Sequence, residues 1–598
     1  MNPLRALLNG DRLEQLARLD TLLELPCFAP AGPADTPQDR YRRTYDRLRA
    51  LGRAGGGTLA LYRDRAALLT ACEWAGTTDP ALLLAALVHF GVVTSTLVEL
   101  GHPAEALDPL IADLDRMDAV GTILITELGS GSSHLAAATE ARYRHADRSF
   151  TLHTPHPGAT KFMPSAALPD QSKIAVVYAR LLVGDRDHGV FPFAVRLRRD
   201  GVTAPGVRVT ALPPTSVVPL DYALIGFDAT PVPYGAWLRD SARITPDGTF
   251  EDPLGDRDSR LVRSLLSSAY ASAAAATGQA AAARAAVAIA LRYATGRTTM
   301  GRLAPELPVL EYRTQQEPLY RALAQAYATT FLVEEERQRF VARPGAPAGA
   351  GPRPTWAPWS AAHRDLALAK AWTSRTLEQV TAVCRQRCGA QGILSANRIS
   401  DHEDLARIFH AAAGDTLLIL LDAGKSLLAD PPPDPPPAAA FDPDDPATAI
   451  RLARLRERAL HRELTHRLPG PEGKFGDWNP LLPGLVELAL AHTERVVLER
   501  FRQRADTLTD PAARQALAGL HRLAGLDGIE DRLGWHLEHG SVTPAEAALV
   551  HRARPGTLAA VHAHLPALLD ALALPTARLG APIAEPDWLD AVLRGAGH

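Results

Sequence analysis

The sequence predicts a mostly helical α+β architecture, with helical units on both sides of a central, mainly antiparallel β unit. Three observations lead there. Apolar residues recur at helical spacing over residues 1–120, 255–428 and 446–598. Between 121 and 240 the texture changes to short β-branched runs separated by Gly, Pro and Asp. The chain has 598 residues, 46% of them hydrophobic and 22% charged. That is several domain lengths of ordinary globular composition, which predicts large buried cores and excludes a disordered or fibrous chain.

Taken in order, the N-terminal helical domain (1–120) carries LNGDRLEQLARLDTLLEL and DPALLLAALVHFGVVTSTLVEL, with Asp79 and Pro80 set as a helix start. The β domain (121–240) carries RSFTLHT, KIAVVYARLLVG, HGVFPFAVRLR, GVRVTAL and YALIGFD. The middle helical bundle (255–428) is broken by ARPGAPAGAGPRP. A stiff proline-rich linker (429–445) then leads to the C-terminal helical domain (446–598). The most membrane-like stretch, Ala269 to Leu291, is mainly alanine and is interrupted by Gln279 and Arg284, so it reads as a tightly packed internal helix and no membrane partner is expected.

Lys+Arg 64 against Asp+Glu 67 leaves a net charge of -3, with no long block of one sign, which argues against nucleic acid as a partner. Only five of the basic residues are lysines, a bias that points to GC-rich coding. The four cysteines have no zinc spacing and no CxxC, the first residues lack the apolar core of a secretory signal, and the final Gly-Ala-Gly-His is not a peroxisomal address. A reduced, cytoplasmic compartment is the expectation.

Several local motifs read blandly. Gly129-Ser130-Gly131 is neither GxGxxG nor Walker A and reads as a turn. His402-Glu403 with His410, and His536 with Glu538 and His539, do not form HExxH and read as surface groups, so no metal is predicted. There is no GxSxG elbow for a hydrolase.

A stronger signal is a set of motifs in one order: ITELGSGSS (125–133), TPHPGATKF (154–162), DHGVFPFAVRLR (187–198), PGVRV (205–209), IGFDATPVP (225–233), RYATGRTTMG (292–301), LEYRTQQ (310–316) and CRQRCGAQG (384–392). Together they resemble the acyl-CoA oxidase branch of the acyl-CoA dehydrogenase superfamily, over residues 80–428 at least. The extra helical domain after the linker resembles the one that distinguishes the oxidases.

The resemblance implies FAD bound between the β domain and the middle helices, a small-molecule acyl substrate, free or as a CoA or carrier thioester, and a homodimer at minimum. Thr126 matches a flavin-contacting position, where a hydrogen-bond donor stabilises charge on the reduced ring. Gly131, Ser132 and Thr160 lie in the same two motifs, and Ser165 matches a second flavin-side hydroxyl. Arg297 matches the arginine of YAxxRxQFG, which holds the FAD pyrophosphate of the neighbouring subunit through its planar fork. Gly389 and Gly392 fit a close backbone approach to the same cofactor.

Departures from the family pattern are equally informative. Thr299 and Met300 replace the usual Gln and Phe after Arg297, Arg313 stands where glutamine is common, and CGAQGI replaces CGGxGY. The family's base is a glutamate in a (Y/F)EG(E/D)N motif. The corresponding stretch here runs from His410 to Thr416 and puts Ala413 at the glutamate's position. Some relatives draw a base from the helix before the arginine motif, but between Asp258 and Glu306 there is no acidic residue. An α-proton beside a thioester needs a base, and general base catalysis is worth about 10²- to 10⁴-fold.

His410, about one helical turn from Ala413 if the segment is helical, and Asp415, at the motif's second acidic position, are the candidate replacements. Three functions follow. The first is a specialised, biosynthetic FAD oxidoreductase whose substrate makes its own carbanion, as a β-keto acid does by losing CO₂, a logic that resembles the epoxyketone synthases of peptide natural-product pathways. The second is an acyl-CoA or carrier-thioester oxidase with a relocated base, which forms a 2,3-enoyl product and passes electrons to O₂ as hydrogen peroxide. The third is a non-catalytic binding member.

Overall fold

The computed structural model describes residues 2–29, 34–299, 301–342, 356–357, 363–437, 440–470 and 473–595. Met300 and all but the first residue of ARPGAPAGAGPRP lie outside the described residues. Helices fill the chain up to Asp115, strands run from Val120 to Pro233, and helices return from Arg257 onward. Among the described residues, four short strands lie beyond 240 in two antiparallel pairs, Arg243–Ile244 with Phe250–Glu251 and Thr298–Thr299 with Leu307–Pro308.

The expected helix start is present: Asp79 accepts from Ala81 N at 2.8 Å and Leu82 N at 3.2 Å, and Pro80 occupies the first turn, where its missing N–H costs nothing. The run Pro80–Leu100 relaxes into a π-helical turn over Leu87–Val93. It and Ser268–Gly296 are apolar and long enough to cross a membrane, yet both are sunk in the core, the second along all but its last turn. Alanine explains why that helix can be central, because its small side chains let three neighbours approach closely. At the crossing with Arg65–Thr78, a Cβ on Gly76 would lie 2.3 Å from the Gly278 carbonyl oxygen, so backbone meets backbone. The two polar interruptions have partners: Gln279 donates to Thr373 Oγ1 at 3.1 Å, and Arg284 pairs with the buried Glu73, which also takes Arg12 at 2.8 Å.

The strands are β1 (Val120–Leu124), β2 (Glu140–Arg144), β3 (Ser149–His153), β4 (Lys161–Ser165), β5 (Lys173–Val183), β6 (Arg186–Arg199), β7 (Val202–Thr203), β8 (Val207–Ala211), β9 (Tyr222–Phe227) and β10 (Thr230–Pro233). One sheet runs β10-β3-β2-β5-β6-β7, with β1 added beside β5; the other runs β4-β9-β8. Pairing is antiparallel except that β1 and β2 lie parallel to β5, each reaching it through a connection too long for a hairpin. Phe150, Phe193 and Trp237 pack as edge-to-face rings in the core of the unit. The β unit meets the helices through contacts of β1 with the π-helical turn and of β6 with the helix Arg257–Ser264.

Candidate cofactor and substrate site

On the β side, two motif segments are zipped together. Phe162 N donates to Thr126 O at 3.0 Å, Leu128 N to Thr160 O at 2.9 Å and Gly129 N to Gly158 O at 2.8 Å. Between them Lys161 Nζ donates to Glu127 at 2.9 Å and to Ile125 O at 3.2 Å, and both side chains are buried. Burial pulls the Glu127 carboxyl upward, but Lys161, Thr139 and the Ala138 N–H outweigh it and hold the group below its usual range. Side chains alternate along extended backbone. With Glu127 and Lys161 pointing inward, Thr126, Thr160 and Phe162 fall on the outer face. Gly131 and Ser132 occupy the exposed turn that follows, Ser132 at φ 60, as expected for a turn. The half-buried Ser165 lies beside the Tyr45 hydroxyl, which itself accepts from Lys173 Nζ at 2.6 Å and donates to Asp221.

The helical side carries the second group. Arg297 caps the end of Ser268–Gly296, and its guanidinium lies 3.9 Å from where a Cβ on Gly389 would sit. Gly389 has φ 60, which glycine adopts without strain, and a Cβ on Gly392 would come 2.1 Å from the Arg385 carbonyl oxygen, so only glycine fits. Arg297 forms no ion pair among the described residues. A partly buried cation beside a glycine-lined backbone is what a pyrophosphate requires, so these residues fit FAD. Apolar side chains in the segments that follow Arg297 and Gly392 are exposed: Leu303 is 89% exposed and Ile393 67%, and Leu307 and Leu394 are exposed too.

The third element is the loop at position 413. Helix Ile399–Ala411 ends there and Thr416–Leu427 begins, with Ala412 extended, Ala413 at φ 56 and Gly414 at φ 91. A left-handed conformation costs a non-glycine residue roughly 1–2 kcal/mol. The loop is held in it by Lys370, on helix Arg364–Arg387, whose wholly buried Nζ donates to Gly414 O at 2.5 Å and to Phe409 O. Burial pushes this amine down to about 7, opposed by Asp415.

Of the candidate bases, Asp415 caps the second helix, accepting from Leu417 N at 2.9 Å and Leu418 N at 3.1 Å. His410 lies in the last turn of its helix and meets the exposed Glu378 at 3.1 Å. Ala413 itself lies outside the helix, which ends at Ala411.

Two expectations need correction. His402 and Glu403 are buried, since that face of the helix packs against the bundle; Glu403 pairs with Arg385 and Arg407, both at 2.8 Å. His536 is also buried, bonded to Ser541 at 2.8 Å, whereas Glu538 and His539 are exposed. Among the described residues no His, Cys, Asp and Glu group is arranged to hold a metal. Sequence reasoning missed Lys370, Glu378 and the buried Glu127–Lys161 pair.

Two family models match the chain, acyl-CoA oxidase C-alpha1 domain over residues 270–428 and acyl-CoA oxidase over 445–587, and together they take in half of it. The chain belongs to the acyl-CoA oxidase family. The class expected from the motifs, an FAD-dependent oxidoreductase, goes with that membership. Among sequence relatives, Arabidopsis thaliana acyl-coenzyme A oxidase 2, peroxisomal, is 25% identical over 86% of this chain and 79% of its own length. Human peroxisomal acyl-coenzyme A oxidase 3 is 30% identical over 59% of this chain and 51% of its own. The fold is that of solved family structures. Acyl-CoA oxidase 1 from Yarrowia lipolytica has TM-score 0.83 at 21% identity, covering 99% of this chain and 92% of that one. Acyl-CoA oxidase-2 of Caenorhabditis elegans, bound with FAD, ascaroside-CoA and ATP, has TM-score 0.82 at 20% identity, covering 100% and 92%.

Proposed function

We propose that this member of the family is an FAD-dependent oxidase of a small acyl or β-keto acid substrate that generates its own carbanion, a specialised and biosynthetic role. One observation carries the reading: the loop at 413 keeps a strained, clamped conformation with no carboxylate on it, while Asp415 is committed to a helix cap. Strain kept at such a place points to a working site and away from a decayed one. A β-keto acid that loses CO₂ leaves an enolate, and no protein base is needed.

In this reading Thr126, Gly131, Ser132, Thr160 and Ser165 hold the flavin side of FAD, and Arg297, Gly389 and Gly392 hold the pyrophosphate of a second copy. Bound there, FAD supplies hydride acceptance, and O₂ is the final electron acceptor. The exposed Leu303, Leu307, Ile393 and Leu394, in the two segments that carry Arg297 and Gly389, support a homodimer. Four free thiols support a reduced, cytoplasmic setting. The relatives' names as acyl-CoA oxidases and the FAD in the nematode structure support the cofactor and the acyl substrate.

A second reading, an acyl-CoA or carrier-thioester oxidase with His410 as base, is favoured by Glu378, which orients that imidazole. The visible spectrum and anaerobic bleaching near about 450 nm, a flavin property, decide among these. FAD-replete protein that no saturated acyl-CoA bleaches supports the base-free reading. Rapid bleaching by a saturated acyl-CoA overturns it in favour of the second. A colourless protein with no thermal shift on adding FAD leaves only a binding role.

A further inference from the structure

Position 413 and Lys370 together specify what the substrate carries, provided the base-free reading above holds. Where a family member has glutamate, the bond broken at the substrate's α-carbon is directed at that side chain, because the base must reach the proton it removes. In this chain the same position offers only a methyl group. The buried amine of Lys370 reaches the loop one residue beyond Ala413, through its bond to Gly414 O. The charge acting on that ammonium is the Asp415 carboxylate, which is already engaged by two backbone amides. The loop therefore carries no carboxylate at position 413, while a buried amine stands beside it.

We propose that Ala413 and Lys370 form a receptor for a carboxylate on the substrate's α-carbon, so that the substrate is a β-oxo carboxylate whose carbonyl is a ketone or a thioester. The step balances without a base. The bond from the α-carbon to the carboxylate carbon breaks, CO₂ leaves, the electron pair stays as an enolate, and no proton is removed. Ala413 makes the room, and Lys370 is a positioning residue that holds the loop and favours the anion electrostatically.

Binding to the FAD-loaded protein tests this by calorimetry. In one arm malonyl-CoA, which lacks a β-carbon hydrogen, is compared with propionyl-CoA; in the other, acetoacetate is compared with methyl acetoacetate. The expected result is that the carboxylate binds at least about tenfold tighter than its neutral match in one arm, which also tells thioester from ketone. Lys370→Met should erase the preference and Lys370→Arg keep part of it. Ala413→Glu should erase it by filling the space and repelling the anion, and this variant carries the test alone if Lys370→Met does not fold. No carboxylate preference in either arm, or a preference that survives Ala413→Glu, overturns the proposal. Absence of flavin from the spectrum instead overturns the FAD reading on which it rests.

Discussion

Lys370 Nζ donates to the carbonyl oxygen of Gly414 at 2.5 Å and so ties a buried amine to the residue beside Ala413. The same nitrogen reaches Phe409 O in the last turn of the preceding helix, so one side chain pins both ends of the loop. Burial lowers the amine from its ordinary 10.5 to about 7. In the unfolded chain it keeps its proton up to the ordinary value. Between about pH 7 and pH 10 the unfolded state therefore binds the extra proton, and stability rises with pH by up to about 1.4 kcal/mol per unit from this group. Urea unfolding at pH 7 and 9 should show a smaller gain in Lys370→Met than in wild type. Equal gains would mean that the amine titrates as if exposed.

Arg297 stands without an ion-pair partner among the described residues, next to Gly389. Its replacement by alanine removes a charge-assisted contact worth about 1.5–3 kcal/mol, so FAD affinity should fall about 10- to 100-fold while the fold survives. Arg297→Lys should recover only part of it, because a point charge does not reproduce a bidentate fork. Fluorescence titration of apoprotein with FAD reads both. Unchanged affinity would move the pyrophosphate elsewhere.

Leu303 and Ile393, in the segments that follow Arg297 and Gly392, are exposed. If a second copy covers them, Leu303→Glu with Ile393→Glu should convert a dimer to a monomer in sedimentation and release FAD in parallel. Loss of the dimer with FAD retained would show that each chain holds its cofactor alone.

Much of this was legible in the sequence, for physical reasons. Helical spacing, the Asp79-Pro80 start and the change to β-branched texture are local signals, and they marked out the architecture. Ala413 was singled out by the resemblance of the 410–416 segment to a family motif, and its strained backbone was not legible there. The surroundings of each site residue were not legible, because burial depends on which helix face meets which neighbour; His402 and His536 are polar in sequence and sit inside. Lys370 did leave a trace. Only five of the 64 basic residues are lysines, and Lys161, Lys173 and Lys370 are all 0% exposed. In a chain biased to arginine, a lysine persists where a compact amine fits and a larger, permanently charged guanidinium does not.

His410 and Asp415 separate the two catalytic readings. The His410–Glu378 pair is largely exposed, and exposed pairs contribute about 0–1 kcal/mol, so His410→Ala should barely move the melting temperature. Asp415→Asn preserves a capping oxygen and should also fold. In the base-free reading both variants keep turnover of a β-keto acid within about twofold of wild type. A fall of about 100-fold or more in either would identify the relocated base.

Ala413→Glu tests the electrostatics of the loop without any assay of turnover. Position 413 already has φ 56, so glutamate suffers about the same backbone strain as alanine and the loop should keep its shape. The new carboxylate would lie near the Lys370 ammonium and favour its charged form, which raises the amine from about 7. The pH window over which the group adds stability should then move upward and narrow, so that Ala413→Glu gains less than wild type between pH 7 and 8 in urea unfolding. An unchanged window would place residue 413 out of electrostatic reach of Lys370, and the shared anion receptor would fail with it.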